Sequence, residues 1–269
     1  MVVCMDELGL LRDVTVTAGN KAEKWRDGVN IERKEDDTFV TQADKDVEGY
    51  IISELTEYFD IPVVGEEGST ELDLENVSEY FVVDPIDGTQ NYVYNQPLYG
   101  TSICLVRNSE PYAGVFYMPE LGYCFSAQLD EGAYLNYDSI SVSEETNLVD
   151  TYCITSGYNS SAVHSKILSM TSGWSQRFSC AIQAESWVSS GWLDFGVFGP
   201  IYPWDVATGL LLVREAGGYA THIKNQTTNW NDLMDGCLVM ANSKELATTV
   251  KSNLSEDVIN TLCEEKSGP

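Results

Sequence analysis

Phe81-Val82-Val83-Asp84-Pro85-Ile86-Asp87-Gly88-Thr89-Gln90-Asn91-Tyr92 is the stretch that decides how this chain is read. A run of β-formers ends in a carboxylate, then come a proline, a second carboxylate and Gly-Thr. The pattern predicts a buried strand over 80–84, a tight turn, and the start of a helical segment. The turn places Asp84 and Asp87 on the same side of the strand end. Two carboxylates that close cannot both stay ionised in a dry cleft unless a cation sits between them. Gly88 and Thr89 open the next segment with backbone N–H groups of the kind that bind phosphate. Taken alone, an Asp-Gly pair after a strand is most often only a turn. The metal-and-phosphate reading therefore needs other acids to converge on this stretch.

Three further acidic positions stand at similar punctuation. Glu66-Glu67 follows the strand pattern of 61–64 and lies between Gly65 and Gly68; Asp205 follows Pro203-Trp204 at a helix start; Asp44 closes a Thr41-x-x-Asp44 capping box. Each has an ordinary alternative, as surface acids, an N-cap or the far end of the box. If Glu66, Asp84, Asp87 and Asp205 line one crevice, they make a hard, all-oxygen site of the kind Mg²⁺ takes. Asp84 then bridges two ions, with Glu66 and the Ile86 carbonyl completing one and Asp87 and Asp205 the other. Ions about 3.5–4 Å apart clamp the attacking and leaving oxygens of an in-line displacement. Thr89 is placed to orient the attacking water, with Asp44 holding its hydroxyl from behind. No G-x-S-x-G elbow or Walker A motif is present, and His164 and His222 stand apart in unremarkable settings.

The bulk numbers narrow the field. A chain of 269 residues suits one large domain or two packed halves, and 43% apolar content marks a globular protein. Against 42 Asp and Glu stand 15 Lys and Arg, a net charge of −27. Such a field argues against nucleic acid and anionic membrane as partners. It opposes an anionic substrate too, unless bound cations invert the sign locally. An acidic, solvated surface suits a protein working at high salt, where screening removes self-repulsion. The start of the chain lacks a basic n-region and a long apolar stretch, so no secretion signal is expected, and no apolar run is long enough to span a bilayer. Seven cysteines are scattered without C-x-x-C or Cys/His spacing, and most read as small buried hydrophobes in a reducing cytoplasm.

Periodicity predicts helices over 6–26, broken at Asp27-Gly28, and from 41 to about 59. Two short strands, 29–34 and 37–41, meet at a polar turn over 34–37, and an acidic loop covers 69–79. An antiparallel meander follows over 101–107, 112–118 and 122–127. A composition shift at 138–150 marks a seam. Beyond it strands (150–155, 176–179, 193–197, 237–241) alternate with helices (160–171, 181–190, 205–214, and a last one from Lys244). The expected architecture is a layered α/β (α+β) chain. An N-terminal half, 1–140, carries the metal motifs, and a C-terminal half, 141–269, carries Asp205 and the substrate-side residues.

Val83-Asp84-Pro85-Ile86-Asp87-Gly88-Thr89-Gln90-Asn91-Tyr92 resembles the first signature of the inositol monophosphatase family, Mg²⁺-dependent and often lithium-sensitive phosphomonoesterases. Gly65-Glu66-Glu67 resembles its G-E-E motif. Trp204-Asp205-Val206-Ala207-Thr208-Gly209, with Glu215-Ala216-Gly217-Gly218 behind it, resembles its second signature. Lys34 and Val40-Thr41-x-x-Asp44 also fall where the family has them. The resemblance implies the α-β-α-β-α sandwich of sugar phosphatases and two or three Mg²⁺ held by Glu66, Asp84, Ile86 (carbonyl), Asp87 and Asp205. It further implies water activation by Glu66 and Thr89, phosphate contacts at Asp87, Gly88 and Thr89, and a homodimer. The sequence departs from the family on the substrate side. Ser179-Cys180 replaces the Gly-Ser of an R-x-x-G-S-A-A-L stretch. Phe198, seven residues before Asp205, replaces a glutamate that contacts ring hydroxyls in some members, and an aromatic wall there argues against inositol phosphate specifically. The leading expectation is hydrolysis of small phosphorylated polyols or sugars. Fructose 1,6-bisphosphate, histidinol phosphate and the 3′-phosphate of phosphoadenosine phosphate stay open. So do two readings of another class, a non-catalytic metal-binding regulator and a passive cation-binding acidic protein.

Overall fold

The computed structural model describes residues 6–26, 30–34, 38–68, 77–156, 161–172, 175–234 and 236–264. The Asp27-Gly28 helix break, the 35–37 part of the polar turn and the 69–76 part of the acidic loop lie outside these residues. In chain order the elements begin with α1 (Glu7–Trp25), β1 (Ile31–Arg33), β2 (Phe39–Thr41), α2 (Gln42–Tyr58), β3 (Val63–Gly65), β4 (Glu79–Asp87) and α3 (Thr89–Val93). There follow β5 (Gly100–Arg107), β6 (Glu110–Met118), β7 (Tyr123–Gln128), β8 (Gly132–Leu135) and β9 (Asp138–Ser139). The second half contains β10 (Cys153–Ser156), α4 (Ser161–Leu168), β11 (Ser175–Gln176), α5 (Ala181–Ser189), β12 (Phe195–Ile201) and α6 (Pro203–Glu215). It ends with β13 (Tyr219–His222), α7 (Trp230–Leu233), β14 (Gly236–Ala241), α8 (Lys244–Ser252) and α9 (Glu256–Leu262).

Two large sheets and three helical layers alternate, and β1 and β2 pair separately as a two-stranded antiparallel ribbon. The first sheet runs β3-β4-β5-β6-β7-β8-β9, with β3 parallel to β4 and every later pair antiparallel. The second runs β11-β10-β12-β14-β13. Side chains of β4 show why five layers form. Phe81 and Val83 pack with Leu11, Val47 and Ile51 of α1 and α2. Tyr80 and Val82 face the other way, onto Ala184, Val206 and Leu210 of α5 and α6, which also meet Phe198 and Leu238 of the second sheet. The outer face of that sheet, with Phe195 and Val239, is covered by α4, α8 and α9. A strand covered on both faces must be apolar on both, which is why 80–83 shows no alternation. The α-β-α-β-α sandwich expected from the resemblance is the observed fold.

The differences from expectation are local. β4 does not end at Asp84. It continues to Asp87, and its register against β5 shifts between Asp84 (opposite Ser102) and Asp87 (opposite Gly100). Pro85 has no N–H to give the ladder, so the strand bulges instead of turning. The Pro85 carbonyl is taken by the Thr101 hydroxyl at 2.8 Å. β12 begins and ends later than expected, and the last helix is two, with Ser255 capping the second. β8, β9, β13 and α7 were not foreseen. Among the described residues, no helix is long and apolar enough to cross a membrane.

Candidate active site

The bulge in β4 presents Asp84 and Asp87, and the first turn of α6 presents Asp205. One oxygen from each lies within 4.8 Å of the others, a spacing that a single cation spans. Each aspartate is held separately. Asp84, 1% exposed, accepts the Ile86 N–H at 2.9 Å. Asp87 sits on the N-terminus of α5, where its carboxylate accepts the N–H groups of Ala181 (3.0 Å) and Ile182 (2.8 Å) and the Cys180 thiol (3.0 Å). The orphan amides and dipole of that helix end suit a carboxylate. Asp205 accepts the Tyr202 N–H at 3.0 Å, so it caps its helix as well as facing the other two.

Burial is the main force on these groups. It raises the Asp84 carboxyl well above the usual range, and Glu66, Asp87 and Asp205 raise it further. Burial raises Asp87 too, against the thiol and amide donors, and it pushes Asp205 to about 7, with Asp87 adding to the shift. Three carboxylates this close, two of them buried and Asp205 half-buried, cannot all carry charge without a cation among them. Their all-oxygen donor set is hard and anionic, and it fits a divalent ion such as Mg²⁺.

Glu66, in the turn after β3, stands beside this triangle and not within it. Its carboxylate pairs with the Lys34 ammonium at 2.7 Å, as does that of Glu67 at 2.7 Å. Burial opposes charge on Lys34, yet Glu66 and Glu67 outweigh it and its pKa rises. Burial also pushes Glu66 to about 8, against Lys34. These two directions compete for one proton. The short ion pair decides for a charged Glu66, which leaves the site's protons on the aspartate triangle.

Thr89 opens α3. Its hydroxyl lies 3.0 Å from the Ile86 carbonyl and 3.3 Å from the Asp44 carboxylate. Asp44 is fully buried in the first turn of α2. Its other oxygen accepts the Thr41 N–H (2.8 Å) and hydroxyl (2.5 Å), so the capping box and the hold on Thr89 coexist. Burial pushes Asp44 to about 6, against its Thr41 donors. Gly88 has a φ of +86°. A Cβ there would meet the Leu98 carbonyl at 2.9 Å and the Ser179 carbonyl at 3.1 Å, so the position needs glycine both for its backbone and for its space.

The substrate-side expectations change. Phe198 is fully buried in the core between α5, α6 and the second sheet, and it is not an aromatic wall facing a substrate. Cys180, 1% exposed, turns its thiol to Asp87; Ser179 is exposed. Glu48 and Glu185 are buried acids that no sequence pattern marks. Glu48, 3% exposed, bonds the turn that carries Glu66, and fully buried Glu185 of α5 lies against Gly209 of α6 with neither carboxylate oxygen hydrogen-bonded. A surface cavity of about 350 Å³ lined by Arg12, Tyr117 and Tyr137 shares no residue with this site.

The chain matches the model of the inositol monophosphatase family over residues 12–258. It is 32% identical over 211 residues to a Thermotoga maritima protein named fructose-1,6-bisphosphatase/inositol-1-monophosphatase, covering 76% of this chain and 80% of that one. It is 38% identical over 200 residues to an inositol monophosphatase of Dictyostelium discoideum, covering 70% and 73%. A solved Thermotoga maritima IMPase superposes with a TM-score of 0.85 at 27% identity, covering 96% of this chain and 100% of that one.

Proposed function

This chain belongs to the inositol monophosphatase family of phosphatases, and we propose that it hydrolyses small phosphorylated polyols or sugars with the aid of two or three Mg²⁺ ions. The observation that carries the reading is the triangle of Asp84 and Asp87, buried on a strand bulge, and half-buried Asp205 at a helix start, with one oxygen from each within 4.8 Å of the others. These three, with Glu66 and the Ile86 carbonyl, would hold the ions. Bound there, Mg²⁺ would supply Lewis acidity and counter-charge to the phosphate ester. The chain's own residues do the rest. Asp44 fixes the Thr89 hydroxyl so that its free lone pair orients the attacking water, and Glu66 draws on that water's proton. The N–H groups of Gly88 and Thr89, beside Asp87, receive phosphate oxygens. Phe198, being core, carries no argument against inositol phosphate, so inositol-1-phosphate-like esters stand first.

Fructose 1,6-bisphosphate is the second reading, favoured by the double name of the Thermotoga maritima relative. The 42 acids against 15 bases favour work at high ionic strength, and the six described cysteines, none of them in a disulfide, favour a reducing cytoplasm. The family resemblance suggests a homodimer. The test is a panel of phosphate esters, including inositol 1-phosphate, fructose 1,6-bisphosphate and histidinol phosphate, with and without Mg²⁺ at several KCl concentrations. Turnover of polyol or sugar phosphates with Mg²⁺ alone is expected. No turnover of any ester would replace this reading with a non-catalytic one.

A further inference from the structure

Glu48 lies one turn after Asp44 on α2, so the two side chains share a face of that helix. Asp44 reaches Thr89. Glu48 reaches the other end of the site. Its carboxylate accepts the Glu67 N–H at 2.9 Å and also bonds the Gly68 N–H. The turn closes tightly over it: a Cβ at Gly65 would lie 2.2 Å from the Glu48 carboxylate, and one at Gly68 would lie 2.8 Å away. Both glycines flanking Glu66-Glu67 thus leave room for one buried acid. The neighbours of Glu48 on the buried side of α2, Val47, Ile51 and Leu55, are core residues, and a carboxylate among them is costly unless its oxygens are bonded.

We propose that Glu48 is the positioning residue of Glu66, and that α2, through Asp44 and Glu48, sets the spacing between Thr89 and Glu66. The role rests on the phosphatase reading, in which Glu66 helps to hold metal. A carboxylate bonded to consecutive backbone amides fixes the turn's direction, so the Glu66 side chain arrives facing the triangle instead of sampling the surface.

Glu48→Ala and Glu48→Gln are measured for Mg²⁺ binding by titration calorimetry, for Tm, and for kcat and KM on the best ester of the panel. Glu48→Ala should weaken Mg²⁺ binding about tenfold or more and lower kcat, with KM changed less than about twofold. Glu48→Gln keeps an oxygen that accepts the amides and should restore most of the affinity. A folded Glu48→Ala with wild-type Mg²⁺ affinity would overturn the proposal. So would a loss of Tm in both variants without a change in Mg²⁺ affinity, which is what a purely structural acid predicts. If Glu48→Ala does not fold, Gly65→Ala, whose methyl displaces the Glu48 carboxylate, should show the same loss of affinity, and wild-type affinity there would overturn it. If the wild type hydrolyses no ester, the phosphatase reading fails, while the calorimetric arms still decide the role of Glu48.

Discussion

Loading the site with Mg²⁺ should expel protons from it. Asp205 is pushed to about 7 by burial and by Asp87, and Asp84 is raised well above the carboxylate range by burial and four neighbouring acids. A metal binds the ionised forms, so every proton held at a given pH must leave first. A group titrating near 7 is about nine-tenths protonated at pH 6 and about nine-tenths ionised at pH 8, so it alone lowers affinity about tenfold between them. Asp84 adds to this in the same direction, so a drop of about tenfold or more is expected. Calorimetric titration with Mg²⁺ at pH 6, 7 and 8 measures the affinities. At pH 7, two buffers of different ionisation heat give the protons released. The sign carries into stability. The raised carboxyls bind protons in the folded state that they lose in the unfolded one, so the metal-free protein should gain Tm as pH falls from 8 to 6. Added Mg²⁺ should raise Tm most at pH 8. Affinity flat between pH 6 and 8, with equal heats in both buffers, would show that the triangle holds no proton and that its oxygens are further apart in charge than in space.

Gly88→Ala forces a side chain into a left-handed backbone and against two carbonyls; a loss of about 1–3 kcal/mol and most of the activity is expected, read by thermal unfolding and kcat, and wild-type values would remove Gly88 from the site. Glu185→Met replaces a fully buried carboxylate whose oxygens have no hydrogen-bond partners; burial raises its pKa, so the acid is tolerated at low pH and penalised as pH rises. The variant should therefore gain Tm at pH 8 and little at pH 5, by calorimetry, and a loss at pH 8 would mean that this carboxylate has a partner in solution. With a net charge of −27, dialysis from about 1 M to 0.01 M KCl lengthens screening from about 3 to about 30 Å and should cost helical circular dichroism signal; an unchanged spectrum would refute the high-salt reading.

What was legible in the sequence followed simple chemistry. Thr41-x-x-Asp44 announced a capping box, and both of its reciprocal bonds are present. The apolar run at 80–83 announced a strand buried on both faces. The nearness of Asp84 and Asp87 was legible although its cause was not: a proline in a strand can end it or bulge it, and only the pairing with β5 decides. β8, β9, β13 and α7 are two to four residues long, too short for either period to register. Phe198 was placed at the substrate by its distance from Asp205 along the chain, but β12 is covered on both faces, so Val197 and Phe198 alike are core. Glu48 and Glu185 were illegible for a different reason. In a chain with 42 acids, composition says that any one of them is exposed, and only tertiary packing singles out Glu48 and Glu185 as buried.

The charge of the whole chain and the charge of the substrate then combine into one consequence. Between Lys45 and Lys166 the only Lys or Arg is Arg107, and it is bound to Glu7 and Glu79. Lys34, the basic side chain bonded to the site's acids, is engaged by both Glu66 and Glu67. A phosphate ester approaching Gly88 and Thr89 meets buried carboxylates and two backbone amides, and amides alone do not outweigh that repulsion. Affinity for phosphate must therefore come with the divalent ion. Inorganic phosphate should give no binding heat without Mg²⁺ and a measurable one with it, and Asp84→Asn should remove the difference. Equal phosphate binding in the presence of a chelator would mean that the anion sits elsewhere on the protein, where the field is not set by the triangle.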